Sequence, residues 1–254
     1  MLTAFVAPRG GALHNPEPQP PSPPPSGRGL GGVSSNSPRG SPRDLRGEGS
    51  PVSLLRRLQG LWWRRRLLRS EFRHLFDEPP DGEWVAVDCE TTGLDTARDE
   101  IVSIGAVPIR GQQILTSKRL ELLVRPTLAP SASSIRIHHL REMDVQGGLA
   151  PDEAIHRFLE FVGPRPLVGY YLEFDVAMLD RLARPYLGIP LPQRKIEVSA
   201  LYYDYKYRQN PDASIDLRFA TILKDLDLPR REEHDAFNDA LMAAQVFVKL
   251  HHQR

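Results

Sequence analysis

The chain has 254 residues and a formal net charge of +1, which allows one large domain or two small ones. The charge is uneven: residues 1–76 contain twelve arginines and four acids, a net +8, whereas the other 21 basic and 28 acidic residues give −7. A −7 domain binds nucleic acid poorly through its overall field, so metals, local contacts or the basic arm would have to hold such a substrate.

The cysteine content and the apolar runs indicate in which cellular compartment the protein resides. A single cysteine, Cys89, excludes a disulfide framework within the chain and is typical of a reducing cytoplasm. No apolar run approaches the ~18–20 residues needed to span a bilayer. The apolar stretch at the N-terminus is too short for a secretion signal. We therefore predict a cytoplasmic protein without a membrane span.

Residues 1–51 contain eleven prolines and nine glycines, so we predict a disordered tail that cannot bury enough apolar surface to fold. Its PQPPSPPPSG run could form a polyproline II ligand for a partner. Two alternatives are a tail without a partner and a translation start nearer Val52.

Residues 52–80 are predicted to form a basic amphipathic helix, 52–76, and a linker. The apolar stripe of this helix comprises Leu54, Leu58, Leu61, Leu68, Phe72 and Leu75, and its arginines are Arg56, Arg57, Arg64, Arg65, Arg66, Arg69 and Arg73. Such a helix favours contact with nucleic acid, a protein or an anionic membrane surface. The alternative is that the stripe packs on the next domain and leaves the arginines in solvent.

Residues 81–254 are predicted to form one α/β domain. Strands are expected at 84–90, 101–110 and 115–124 as an antiparallel meander, then at 166–171 and 196–201. Helices are expected at 151–162, 174–186, 217–226 and 235–250. The segment 202–212, YYDYKYRQNPD, is interpreted as a surface loop, with contact to a single strand as the alternative. The pattern predicts a mixed five-stranded sheet covered by helices.

Two carboxylates stand two residues apart near the end of the first strand. Asp88 and Glu90 should share one face while Cys89 points to the other. Neighbouring carboxylates repel each other unless a cation neutralises them. TTGL, residues 91–94, follows and would let backbone approach a ligand closely. The alternative is an ordinary strand end with two acids in solvent.

Three further residues complete a candidate site. Asp175 near the start of a helix could be a third metal ligand or simply a helix cap. His234 and Asp239 lie about 140° apart on a helix, so they would not share a face if both were helical. We expect Asp235 to cap the last helix, with His234 on the loop before it and Asp239 facing inward. His234 could then act as a general base, or be purely structural.

These residues resemble a known family. DCETTG at 88–93, Phe174 with Asp175, and His234 five residues before Asp239 are similar to the DnaQ-like 3′→5′ exonucleases, the DEDDh branch of the ribonuclease H-like superfamily. The resemblance, to domains like those of the bacterial DNA polymerase III epsilon type, covers roughly residues 84–250. One departure stands out, because Tyr170-Tyr171 replaces the family's usual His-Asn pair.

The resemblance implies a role for each site residue. Asp88 would bridge two Mg²⁺ or Mn²⁺ ions, with Asp175 and Asp239 completing their ligands, while Glu90 would hold one ion and orient water. His234 would deprotonate that water. The predicted substrate-binding residues are Thr91, Thr92, Gly93, Leu94 and Tyr171. Tyr171 could stack on a base, and the alternative is that Tyr170 and Tyr171 only finish the strand. His138 and His139 are interpreted as structural or near the substrate.

The implied activity is a metal-dependent 3′→5′ exonuclease that releases nucleoside monophosphates from single-stranded or frayed 3′ ends. DNA is favoured over RNA, with a role in DNA repair or replication. One alternative is an exoribonuclease of the same family. The other is a catalytically weak binding or scaffold protein on this fold, since a fold does not guarantee activity.

Overall fold

A mixed β-sheet forms the centre of the protein. The structure is a computed structural model, and it describes residues 51–127, 146–231 and 234–251. Within these ranges the sheet has six strands rather than the five predicted. They are β1 (Glu83–Thr91), β2 (Ile101–Arg110), β3 (Gln113–Ile114), β4 (Leu120–Leu123), β5 (Leu167–Gly169) and β6 (Lys195–Glu197). The order is β3-β2-β1-β5-β6, and β4 also pairs with β2.

The strand directions bring three strand ends together. β2 pairs antiparallel with β1, β3 and β4, which confirms the predicted meander. β1, β5 and β6 are parallel neighbours, so their carboxyl ends meet at one edge of the sheet. Residues at or just after these ends are therefore close in space although far apart in sequence.

The predicted strand 115–124 is wrong in its first half, because only Leu120–Leu123 within it is a strand, and the extra strand β3 precedes it. A 3-10 helix, Thr116–Lys118, separates β3 from β4. The two short strands pair with different parts of β2, residues 109–110 and 103–106. Pro108 lies between these parts and has no N–H to donate to a continuous ladder, although its carbonyl accepts from Leu115 at 2.9 Å.

Helices cover both faces of the sheet. On one face a core cluster joins α2 (Pro151–Val162), α3 (Leu172–Leu187) and a 3-10 helix (Ser70–Phe76) to the strands. On the other, a second cluster joins α4 (Val198–Gln209), α5 (Phe219–Asp225) and α6 (Ala236–His251). This mixed α/β architecture confirms the predicted fold class. None of the helices in the described ranges is long and apolar enough to cross a membrane.

The predicted single helix 52–76 is wrong. α1 (Pro51–Arg66) ends before a separate 3-10 helix begins at Ser70. The chain breaks there because Arg69 is extended and the Leu68 N–H donates to the Leu187 carbonyl at 2.8 Å, docking the segment on the end of α3. Phe72 and Leu75 are buried as the packing alternative required, but Leu61 and Leu68 are exposed. The predicted stripe therefore does not face one surface.

The predicted strand 196–201 and loop 202–212 also need correction. β6 ends at Glu197, whose carboxylate accepts from the Ser199 N–H at 3.0 Å and so caps α4. Residues 202–209 consequently lie in a helix and not in a loop. The tail 1–50 and His138 and His139 lie outside the described residues, and the predicted domain limits stay predictions.

Candidate active site

Asp88 and Glu90 project from the same face of β1, as predicted. Their neighbours Val87 and Cys89 belong to the core cluster on the α3 side. The two carboxylates are half-buried on the opposite side, toward α6. Strand alternation therefore places both acids at the end of β1, beside the carboxyl ends of β5 and β6.

Asp239 reaches the same point from α6. Carboxylate oxygens of Asp88, Glu90 and Asp239 all lie within 4.8 Å of one another. The expected cap is confirmed, because Asp235 accepts from the Asn238 N–H at 2.8 Å. His234 is exposed on the preceding loop at φ 65°, and its N–H donates to Asp239 at 3.1 Å. This bond ties the loop that carries the histidine to the acidic cluster.

Gly105 allows α6 to approach the sheet this closely. It lies opposite Asp88 in the β1–β2 register. A Cβ at this position would stand 2.2 Å from the carbonyl carbon of Ala236, the first residue of α6. The lack of a side chain thus sets the distance between Asp88 on the strand and Asp239 on the helix. Sequence reasoning missed this residue, although a glycine inside a strand often marks a close backbone approach.

Gly105→Ala should push the start of α6 off the sheet. We expect a loss of unfolding free energy of about 1–3 kcal/mol, the usual range for overpacking. Cation affinity should fall as well, because Asp239 moves away from Asp88. Denaturant unfolding and cation titration measure the two effects. Gly60→Ala is the matched control, since a Cβ there has no neighbour within 4 Å; equal behaviour of the two variants would contradict the packing argument.

Asp175 stands beside the three-acid group and is 4% exposed. Its carboxylate accepts from the Cys89 N–H of β1 at 3.1 Å, which ties α3 to the strand between Asp88 and Glu90. Its interpretation as a helix cap is wrong, because the N-cap of α3 is Tyr171. Asp175 is not among the acids whose oxygens lie within 4.8 Å of one another, but its charge helps to raise the pKa of Asp88.

Burial and crowding raise the pKa values of these acids. Burial, followed by the charges of Asp175, Asp239 and Glu90, raises the pKa of Asp88 well above its usual range. Burial also raises the pKa of Asp175. For Glu90, burial and the charges of Asp239 and Asp235 raise the pKa to about 8. Such a cluster needs protons or cations near neutral pH, and its all-oxygen donor set suits hard divalent ions such as Mg²⁺ or Mn²⁺.

The raised pKa values predict a pH-dependent response to metal. The folded metal-free protein holds protons that the unfolded chain releases, so its unfolding free energy should fall as pH rises from about 4.5 to about 8 across the Glu90 shift. A divalent cation replaces those protons and should restore stability. We expect Mn²⁺ to raise the melting temperature by several degrees at pH 8 and much less at pH 5, measured against EDTA. The same shift at both pH values would contradict a carboxylate site.

The loop after β1 is organised by internal hydrogen bonds. The Thr91 hydroxyl donates to the Gly93 carbonyl at 2.6 Å, and the Thr92 hydroxyl donates to Asp99 at 3.1 Å. A Cβ on Gly93 would lie 2.5 Å from the Asp99 carboxylate, so a larger residue here would have to displace that side chain. Leu94 is 75% exposed at the loop tip. The hydroxyls therefore shape the loop and leave its apolar tip open to solvent.

The two tyrosines after β5 differ in their surroundings. Tyr170 stacks on Phe219 with ring centroids 4.4 Å apart, and its hydroxyl donates to the Leu217 carbonyl at 3.1 Å. Tyr171 is 54% exposed and has a left-handed backbone at φ 54°. The next N–H, of Leu172, donates to Glu197 at 2.8 Å. Glu197, which sequence reasoning also missed, thus joins the starts of α3 and α4.

A cavity of about 340 Å³ adjoins the acids. Glu90 and His234 both line it, together with Ser103 of β2, Glu121 of β4 and Phe237 of α6. Glu90 of the acidic group and His234 therefore face one shared space, which is large enough to admit a small polar group and water.

The fold and the acidic group are those of the ribonuclease H-like superfamily. The chain matches the RNase_T family model, described as exonuclease, over residues 85–247. It therefore belongs to this exonuclease family and is a DnaQ-like member of the superfamily.

Named relatives agree with this assignment. The chain is 25% identical to DNA polymerase III subunit epsilon of Aquifex aeolicus over 170 residues, 67% of this chain and 81% of that protein. It is 30% identical to the PolC-type DNA polymerase III of Thermotoga maritima over 180 residues, 70% of this chain. The match spans only 12% of that much longer polymerase.

Solved structures share the fold. The zinc-bound complex of E. coli ExoI with single-stranded DNA is similar at a TM-score of 0.58 and 13% identity, covering 68% of this chain and 41% of that one. Cell-death related nuclease 4 is similar at a TM-score of 0.57 and 14% identity, covering 68% and 65%. At these identities the likeness concerns the fold alone.

Proposed function

We propose that the chain is a metal-dependent 3′→5′ exonuclease that releases nucleoside monophosphates from single-stranded or frayed DNA ends. The observation that carries the proposal is the convergence of Asp88, Glu90 and Asp239 within 4.8 Å, in a chain of the exonuclease family. Asp175 beside them and His234 on the adjoining loop supply the remaining groups that hydrolysis requires.

The four acids Asp88, Glu90, Asp175 and Asp239 would hold two Mg²⁺ or Mn²⁺ ions. Bound there, the cations would stabilise charge on the attacking and leaving oxygens of an in-line displacement. Glu90 would orient the attacking water, and a ring nitrogen of His234 would take its proton. The water oxygen then bonds to phosphorus while the bond to the 3′ oxygen of the preceding nucleotide breaks.

The loop of residues 91–94 would seat the terminal nucleotide. Thr91, Thr92 and Gly93 would set the course of the backbone there, whereas Leu94 and Tyr171 offer exposed apolar surface on which a base can rest. We favour DNA because the named relatives are DNA polymerase III proteins and the ExoI structure contains single-stranded DNA. Roles in repair or replication, contacts made by residues 52–76 and a cytoplasmic location remain proposals.

A nuclease assay tests the proposal. A 5′-labelled single-stranded DNA should shorten one nucleotide at a time with Mg²⁺ or Mn²⁺, while EDTA should stop the reaction. A circular single strand is the matched control substrate and should resist, because it has no 3′ end. A parallel assay with RNA of the same sequence tests the exoribonuclease alternative. If no cation supports mononucleotide release from either polymer, the enzyme proposal fails and the scaffold alternative stands.

A further inference from the structure

Helix α4 carries aromatic residues on two sides. Tyr202 packs into the core beside α5 and α6, and its hydroxyl donates to Asp225 at 2.9 Å. Tyr205 also packs against this core. Tyr203 and Tyr207 point outward, and they are 40% and 47% exposed. Packing of the core therefore accounts for one pair of tyrosines and leaves the other pair exposed on the surface of the helix.

The outward pair forms an ordered surface. The Tyr203 and Tyr207 rings are stacked, with centroids 5.9 Å apart and planes 14° from parallel. Neither residue belongs to the core cluster that their helix covers. Two flat rings held one helical turn apart provide a platform of the kind on which successive bases stack in single-strand binding.

This platform begins beside the proposed active site. Glu197 accepts from the Leu172 N–H at 2.8 Å and from the Ser199 N–H at 3.0 Å, so α4 starts next to Tyr171 and the start of α3. α4 also packs on the α6 side of the sheet, the side of Asp88 and Glu90. Tyr203 and Tyr207 follow Ser199 at steps of four residues, roughly 6 Å and 12 Å farther along the helix.

We propose that Tyr203 and Tyr207 bind bases of a single DNA strand several nucleotides from the 3′ end that enters the active site. This inference rests on the proposed exonuclease function. The occupant is a nucleic-acid strand because the platform continues from the site that would hold the end of that strand. The exposed charges on this stretch, Asp204 and Arg208, are of opposite sign. Stacking rather than charge must therefore supply the affinity.

Binding of oligonucleotides of two lengths tests the platform. The full chain with Asp88→Asn, which should not degrade DNA, is titrated against labelled dinucleotide and 12-mer in Mg²⁺. Adding Tyr203→Ala and Tyr207→Ala should weaken 12-mer binding roughly tenfold or more, since the bases lose the rings on which they stack. Dinucleotide binding should be unchanged. Gln209→Ala, an exposed change on the same helix, should alter neither.

A phenylalanine pair separates ring stacking from a general disturbance of α4. Tyr203→Phe with Tyr207→Phe keeps the rings and should keep 12-mer affinity. The proposal is overturned if the alanine pair binds the 12-mer like its parent, or if it loses dinucleotide and 12-mer binding equally. If the wild-type chain releases no mononucleotides but its 12-mer binding still needs the rings, the exonuclease proposal fails and the platform remains.

Discussion

Asp88→Asn should lower mononucleotide release by on the order of 10³-fold or more, the largest effect that we expect of any single change in this protein. The side chain lies at the centre of the acidic group, with Glu90 and Asp239 oxygens within 4.8 Å and Asp175 close enough to raise its pKa. The amide has almost the same shape but carries no charge to hold a cation. Single-turnover degradation of labelled DNA measures the loss.

The same substitution should stabilise the metal-free protein although it lowers activity. Asp88→Asn should raise the unfolding free energy at neutral pH, because it removes one of several buried carboxylates that repel one another. Thermal unfolding in EDTA separates this effect from misfolding. Asp152→Asn, at an exposed acid of α2, is the matched control and should change neither property. If the Asp88→Asn variant kept wild-type activity, the acidic group would not take part in the reaction.

His234→Asn should lower kcat by roughly 10²–10⁴-fold while leaving cation affinity nearly unchanged. The change removes the proposed base, but the backbone N–H that donates to Asp239 remains. Asparagine suits the test because it tolerates the left-handed backbone that His234 adopts at φ 65°. Steady-state kinetics and cation titration on the same preparations measure the two quantities.

The control for this prediction is another histidine. His74 lies in the 3-10 helix on the α3 side of the sheet, away from the acids. His74→Asn should therefore leave kcat unchanged. A kcat within twofold of wild type in His234→Asn would contradict the general-base role. Loss of cation binding together with kcat would instead assign His234 to holding the acidic group in place.

Local sequence patterns predicted much of this protein. The strand alternation around Asp88 and Glu90, the helix 151–162 and the Asp235 cap all follow from rules that act over a few residues, and the structure confirms them. Two of the errors lie where one residue outweighed such a pattern. Pro108 divides the edge of the sheet, and the Glu197 carboxylate starts a helix where β-branched and aromatic residues suggested a strand or loop.

The sequence by itself determined the kind of site, because the acids and histidine, their order and their spacing are written in the chain. Only the tertiary structure decided how closely they meet. The missing side chain of Gly105 lets α6 reach β1, and the Cys89 N–H binds Asp175 across the start of α3. Such distances depend on backbones packed from distant parts of the chain, which no local pattern encodes. The same holds for α4, where packing left two of the tyrosines outside.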